Sequence, residues 1–209
     1  MNKLILLRHG QSQWNLENRF TGWKNVPLTE KGEKEAKKAG ELLKKHNIHV
    51  DRVFSSVLER ANRTAEIAII HAELNNLLEN NKLIMTCSEK LNERDYGDLV
   101  GLNKQETADK FGKDQVHIWR RSYDTPPPNG ESLKDVVDRV SPYFEEYIKP
   151  ALNLGENILI AAHGNSLRAM MIELGMYKSE EISNIELPTG SPLCINLDQG
   201  RLIDFNYLD

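Results

Sequence analysis

At 209 residues the chain is long enough for one full-sized domain with a buried core, and its 39% hydrophobic and 28% charged content is ordinary for a soluble globular protein. The net charge of −4 argues against a nucleic-acid-binding role, and no apolar run nears the ~20 residues of a membrane span. A small anionic ligand remains compatible with that charge, since a pocket can be locally positive beneath an acidic surface.

Met-Asn-Lys leads straight into a short apolar run with no small-residue cleavage site, so no signal peptide is expected. Residues 3–7, KLILL, read as a buried strand. Residues 29–47 read as a helix, with Thr29 as its N-cap and Ala36, Ala39, Leu42 and Leu43 at helical spacing. A second strand at 52–56 leads into a helix through 58–74, and KLIMTC (82–87) reads as a third strand. Two short helices follow near 103–111 and 113–121, then the proline cluster TPPPNG (125–130). Ser132 and Asp135 have capping-box spacing at the head of a helix over 132–148. NILIAA (157–162) is the most strand-like run, with a helix expected from about Ser166, and strands at 192–197 and 202–208 end the chain. There is no repeat, low-complexity tract or Gly/Ser-rich linker, so residues 1–209 read as one domain. Alternating strands and helices predict an α/β fold, a largely parallel sheet covered on both faces. Cys87 and Cys194 read as small buried hydrophobes in a reducing cytoplasm, not as a disulfide.

Four histidines lie in unremarkable contexts: His46 and His49 at a polar helix end, His71 and His117 within helical patterns. His9 and His163 differ. Each follows an apolar strand, precedes a glycine and opens a polar segment, in LLRHGQS and AAHGNS. Ligands of α/β sheets bind at the carboxyl ends of the strands, where both histidines are expected. The glycine after each allows close backbone approach to a ligand, and the helix near Asn165 and Ser166 would point free N–H groups at an anion. Arg8 beside His9 disfavours a metal cation and favours phosphate, whose oxygens the guanidinium fork matches. A neutral imidazole can attack phosphorus and form a covalent intermediate.

The motifs RHGQSQWN (8–15), RFTGW (19–23), SSVLERANRTAE (55–66), LNERDYGDLVGLNK (91–104), WRRSYDTPPPNGESL (119–133) and IAAHGNSLRA (160–169) occur in an order that resembles the histidine phosphatase superfamily. More closely, they resemble its cofactor-dependent phosphoglycerate mutases. That resemblance implies a helix-sandwiched mixed sheet and the interconversion of 3-phosphoglycerate and 2-phosphoglycerate in glycolysis and gluconeogenesis. It implies 2,3-bisphosphoglycerate as the priming donor and no metal. His9 resembles the nucleophile that becomes phosphohistidine, Glu93 the proton donor and acceptor, and His163 a stabiliser of the transferring phosphoryl group. Arg8 and Arg60 match phosphate-contacting positions, although Arg60, like Arg63, is also compatible with a helix-surface charge. Lys104, Arg120 and Arg121 match further substrate contacts, as do Ser12, Asn15, Thr21, Gly22, Tyr96, Gly164 and Asn165. Trp14 and Trp23 read equally well as packing residues. A carboxylate among phosphates should have a raised pKa, which suits Glu93 to proton transfer.

Four features depart from the resembled pattern: Gln11 where many relatives have Glu, Asp95 where many have His, a short TPPP-to-ESL segment, and no tail beyond Asp209. The missing tail raises a phosphatase of the same superfamily as the alternative to a mutase, with an inactive binding protein more remote. Small phosphoglycerates are the expected partners, without nucleic acid or membrane, and a homo-oligomer stays open.

Overall fold

An apolar run without alternation needs cover on both faces, and the computed structural model, which describes residues 1–209, provides it. The chain runs through β1 (Asn2–Arg8), the one-turn α1 (Gln13–Leu16), α2 (Glu30–Lys45), β2 (Arg52–Ser55) and α3 (Glu59–His71). Three two-residue strands come next: β3 (Leu78–Glu79), β4 (Lys82–Leu83) and β5 (Thr86–Cys87). The helices α4 (Lys104–Phe111), α5 (Lys113–Arg121), α6 (Leu133–Tyr143) and α7 (Lys149–Asn153) precede β6 (Ile158–Ala162) and α8 (Gly164–Glu173). The short α9 (Ser179–Ile182) and the strands β7 (Pro192–Asp198) and β8 (Arg201–Tyr207) close the chain.

Six strands form one sheet in the order β5-β2-β6-β1-β7-β8. The first four are mutually parallel, and β7 and β8 join antiparallel. Side chains alternate across it: Leu4, Leu6, Ile158 and Ile160 pack with Val136, Val140, Leu167 and Met170 of α6 and α8. On the other face Ile5, Leu7, Leu159 and Ala161 meet residues of α2 and α3, among them Ala39, Leu43, Ala65 and Ile69. The expected α/β class, a three-layer α/β/α sandwich on a mostly parallel sheet, is what the chain adopts.

Local chemistry sets the element ends. Thr29 accepts from the Gly32 N–H at 3.1 Å, and Ser132 and Asp135 form the reciprocal capping box. Pro142 lies inside α6 and has no N–H to donate; just past it, a π-turn over Phe144–Ile148 widens the helix before α7. Three expectations need correction. Residues 82–87 are not one strand: Asn80 and Asn81, both at positive φ, turn β4 back on β3, and only Thr86 and Cys87 join the main sheet beside β2. The helix after β6 begins at Gly164, two residues early, because His163 already has extended backbone and serves as N-cap. Cys87 is exposed, since β5 is the outer edge of the sheet; only Cys194 is buried.

The glycine after His9 is also a packing requirement of the fold. A Cβ on Gly10 would stand 2.2 Å from the Gly32 carbonyl oxygen, and one on Gly32 would stand 2.1 Å from that of Gln11. The close approach that the structure shows is to the first turn of α2, backbone against backbone. Gly32→Ala is expected to destabilise the protein by about 1–3 kcal/mol, read as a lower urea midpoint at unchanged m-value.

Candidate active site

The parallel pairing of β1 with β6 ends at Arg8 opposite Ala162, and the His9 N–H donates to the Ala162 carbonyl at 3.0 Å. The two histidines that follow these strands are therefore neighbours, with ring centroids 5.0 Å apart and planes tilted by 58°. Both are buried. His9 Nδ1 lies 2.7 Å from the Gly10 carbonyl oxygen, which can only accept, so Nδ1 carries the proton and Nε2 keeps its lone pair. Burial, then the charges of Arg60 and Arg8, push the His9 pKa well below 6.5 despite the Gly10 bond. Burial leads again at His163, followed by Arg60, His9 and Arg8. Both rings are neutral at pH 7.

Two guanidiniums face this pair. Arg60, buried in α3, donates to His9 Nε2 at 3.3 Å and to the carbonyls of Lys24 and Gly22 at 2.9 Å each. Burial, with Glu93 opposing and Arg8 assisting, lowers its pKa to about 10. Arg8 donates from Nη1 to the Leu187 carbonyl at 2.7 Å, while its buried Nε has no partner. Opposite them stands Glu93, whose Oε1 accepts from the N–H of Arg94 at 2.8 Å and from the N–H and side-chain amide of Asn165 at 3.1 and 3.0 Å. Oε2 makes no hydrogen bond to the protein.

Arg8, His9, Arg60 and Glu93 border a cleft lined also by Asn15, Arg19, Phe20, Thr21, Gly22, Tyr96 and Lys104. Four of its side chains are cations and one, Glu93, is a carboxylate, so the cleft is strongly positive within an acidic protein. Such a site suits a compact polyanion. No three His, Cys, Asp or Glu side chains converge as metal ligands, and no helix is long and apolar enough to cross a membrane.

Residues 4–204 match the sequence profile of the histidine phosphatase superfamily (branch 1). A 2,3-bisphosphoglycerate-dependent phosphoglycerate mutase of Methylobacterium sp. (strain 4-46) is 54% identical over 96% of this chain and 94% of its own. A phosphoglycerate mutase of Schizosaccharomyces pombe is 49% identical over 100% and 96%. The chain belongs to the histidine phosphatase superfamily, in its phosphoglycerate mutase family. Among solved structures, a mycobacterial glucosyl-3-phosphoglycerate phosphatase superposes with a TM-score of 0.79 over 99% of this chain and 98% of that one, at 24% identity, a likeness of fold.

Of the residues singled out in the sequence, Arg8, His9, Asn15, Thr21, Gly22, Arg60, Glu93, Tyr96 and Lys104 line the one cleft. Lys104 opens α4, where a cation opposes the helix dipole, and its Nζ lies 5.8 Å from the centre of the Phe20 ring. His163 sits behind His9, and Asn165 holds Glu93. Gly164 packs against guanidiniums: a Cβ there would be 3.2 Å from Arg168 Nη1 and 3.8 Å from Arg8 Nε. Ser12 is fully buried and caps α1 through a reciprocal bond with Asn15, outside the cleft. Arg120 and Arg121 line a separate, narrower cleft with Arg94 and Arg168, and Arg121 is tied to the Ser183 carbonyl and Glu186. Gln11 and Asp95 do not line the main cleft; their side chains bond Thr29 and the Gly97 N–H.

Three functional features were missed. Arg19, within RFTGW, lines the cleft but was not singled out in the sequence. Arg139 donates to the carbonyls of Lys90, Asn92 and Glu93 and to both oxygens of Glu131, fixing the turn that carries Glu93. Nothing local in DVVDRVSP marks it. The third is the charge state of Glu93. Burial alone would raise its pKa, yet the Arg94 N–H, the charges of Arg8 and Arg60 and the Asn165 amide outweigh it and hold the pKa below 4.5. The expected upward shift requires the negative charge of a ligand, and the protein itself surrounds Glu93 with positive charge.

The lowered histidine pKa values have a consequence for stability. The unfolded chain binds protons at His9 and His163 near pH 6.5 and the folded chain does not, so stability falls as pH drops through 6.5. Thermal melts without phosphate are expected to show a lower Tm at pH 5.5 than at 7.5. Replacing both residues, His9→Gln with His163→Gln, flattens that slope.

Proposed function

We propose that this chain, acting as one catalytic domain, interconverts 3-phosphoglycerate and 2-phosphoglycerate by way of a phosphohistidine at His9. The observation that carries the reading is a buried, neutral His9, with its Nε2 lone pair unprotonated, at the floor of a cleft lined by four cations. The cleft fits a doubly phosphorylated carboxylic acid: the buried Arg8 Nε has no protein partner, Glu93 is the one carboxylate of the lining, and only Arg19 among the four cations is paired with a carboxylate, Glu17, at 2.8 Å. When bound, 2,3-bisphosphoglycerate supplies the phosphoryl group that first loads the histidine. Arg8, Arg60 and the neighbouring His163 would hold that group's oxygens, with Arg19 and Lys104 for the rest of the molecule.

His9 Nε2 forms the N–P bond as the O–P bond to the leaving oxygen breaks. With the charge of the bound phosphates raising its pKa so that it holds a proton, Glu93 Oε2 gives that proton to the leaving oxygen, and in the return step it takes one from the attacking hydroxyl. Three donors on Oε1 keep the carboxylate in place while Oε2 moves the proton. Positive charge held in place offsets the charge spreading over the transferring group. Arg120 and Arg121, beside rather than within the cleft, serve the substrate carboxylate only if Arg121 leaves Glu186. The reading makes small cytoplasmic phosphoglycerates the working partners and leaves self-association open.

The protein is to be incubated with 3-phosphoglycerate, with and without catalytic 2,3-bisphosphoglycerate, in EDTA, and assayed for 2-phosphoglycerate and free phosphate. Isomerisation stimulated by the bisphosphate is expected; free phosphate as the main product would favour the phosphatase of the same superfamily. His9→Ala should abolish acid-labile phosphoenzyme, and persistent labelling of that variant would falsify the assignment of the nucleophile. Glu93→Gln should lower kcat by about 10²–10⁴-fold while ligand still binds, and near-normal turnover would remove Glu93 from proton transfer.

A further inference from the structure

Ser56 follows β2 at the same carboxyl edge of the sheet that carries the two histidines, and it is fully buried. Its hydroxyl oxygen accepts the Leu58 N–H at 3.1 Å and lies 2.7 Å from His163 Nε2. A hydroxyl has one proton to give, and the sole acceptor bonded to this one is His163 Nε2. With that proton given to Nε2, a neutral His163 carries its own hydrogen on Nδ1. That Nδ1 is buried and has no protein partner, and its ring is the one tilted against His9.

We infer that Ser56 is a positioning residue: it locks His163 in the Nδ1–H form, so that a neutral N–H donor is offered to the phosphoryl group in transit at His9. The inference rests on the phosphoryl-transfer reading above and deepens it. Chemistry distinguishes the two tautomers sharply. Nδ1–H offers a hydrogen to a phosphoryl oxygen, whereas the other form turns a lone pair on it. A protonated ring would donate from either nitrogen and need no partner, but Arg8 and Arg60 already crowd the pair with positive charge. A neutral donor needs its tautomer set, and a second residue must set it. Ser56 is itself held: its carbonyl accepts from the Asn62 amide at 2.7 Å, and the same amide reaches Ser55 Oγ at 3.0 Å. Ser55 Oγ in turn donates to the Ala161 carbonyl on β6 at 2.9 Å. The support for the donor thus runs from α3 through β2 to the strand that carries His163.

Long-range proton–nitrogen NMR correlations on the ¹⁵N-labelled full-length protein read the tautomer directly. The expected result is a protonated Nδ1 and an unprotonated Nε2 at His163 in the wild type at pH 7.5. Ser56→Ala should give a mixture of tautomers at His163, and should lower mutase kcat by about 10–100-fold with KM changed no more than about threefold. A protonated Nε2 in the wild type overturns the inference, as does an unchanged kcat in a folded Ser56→Ala protein. If Ser56→Ala does not fold, the wild-type spectrum alone decides. A wild type that shows Nδ1–H at His163 but turns over no phosphoglycerate would support the Ser56–His163 pairing and overturn the mutase reading instead.

Discussion

The pairing register of β1 against β6 is the constraint on which the site depends. Leu4 faces Ile158, Leu6 faces Ile160 and Arg8 faces Ala162. These pairs point to one helix layer, while Ile5 with Leu159 and Leu7 with Ala161 point to the other. A slip by one residue would send every side chain of one strand to the wrong face. Because both faces are buried, the register is specified by packing along the whole strand, far from the chemistry. Its outcome is a 3.0 Å bond from the His9 N–H to the Ala162 carbonyl, and two imidazoles 5.0 Å apart. Phosphoryl chemistry tolerates little misplacement, and two strands buried on both faces supply the placement.

Charge is placed by a second device. The arginines around the site are tethered largely through main-chain carbonyls: Arg60 to Gly22 and Lys24, Arg8 to Leu187, Arg168 to Ile185. A carbonyl orients a guanidinium and repays some of its lost hydration without cancelling its charge. A carboxylate would orient it as well but would neutralise the field that an anion feels. The one carboxylate in the cleft, Glu93, is restrained in turn by amides of Arg94 and Asn165. Its turn is clamped by Arg139, whose own charge is answered outside the cleft by Glu131. The positive field is thus assembled before any ligand arrives, and little reorganisation is left for the reaction to wait on.

What could be read from the chain and what could not divide along physical lines. Long uniform patterns were legible: the apolar runs of β1 and β6, the α2 repeat with its Thr29 cap, and the capping box at Ser132. So was the twin His-Gly context, because a strand end is a local property. Features that depend on contacts between remote segments were not. Residues 82–87 are apolar enough for a strand, but the Asn80–Asn81 turn and the short edge beside β2 divide them between two sheets. That Gly10 also makes room for Gly32 could not be read, since the two are 22 positions apart. Glu93 read as a carboxylate raised by the charge of bound phosphates; the arginines of β1 and α3 that lower its pKa in the free protein come from remote segments. Arg139 and Ser56 lie in segments that read as plain helix and strand, and their partners, Glu93 and His163, are 46 and 107 residues away.

The choice of acceptor follows from the same cleft. As the proposed base, Glu93 Oε2 would activate water as readily as a sugar-acid hydroxyl, and the fold is shared with a phosphatase, so neither that base nor the scaffold selects mutase chemistry. The difference must lie in what holds the acceptor. Water has no charge by which to be gripped, whereas a phosphoglycerate carries a phosphate and a carboxylate that Arg19, Lys104 and the arginines can fix. An acceptor fixed in line with the phosphohistidine gains an effective concentration that well-oriented intramolecular reactions put at about 10⁵–10⁸ M, which water cannot approach. Binding energy from the non-reacting end of the molecule is thereby converted into rate at the reacting end. On this view the cationic excess of the cleft selects as well as binds, and the residues that matter most for specificity are those farthest from the phosphorus.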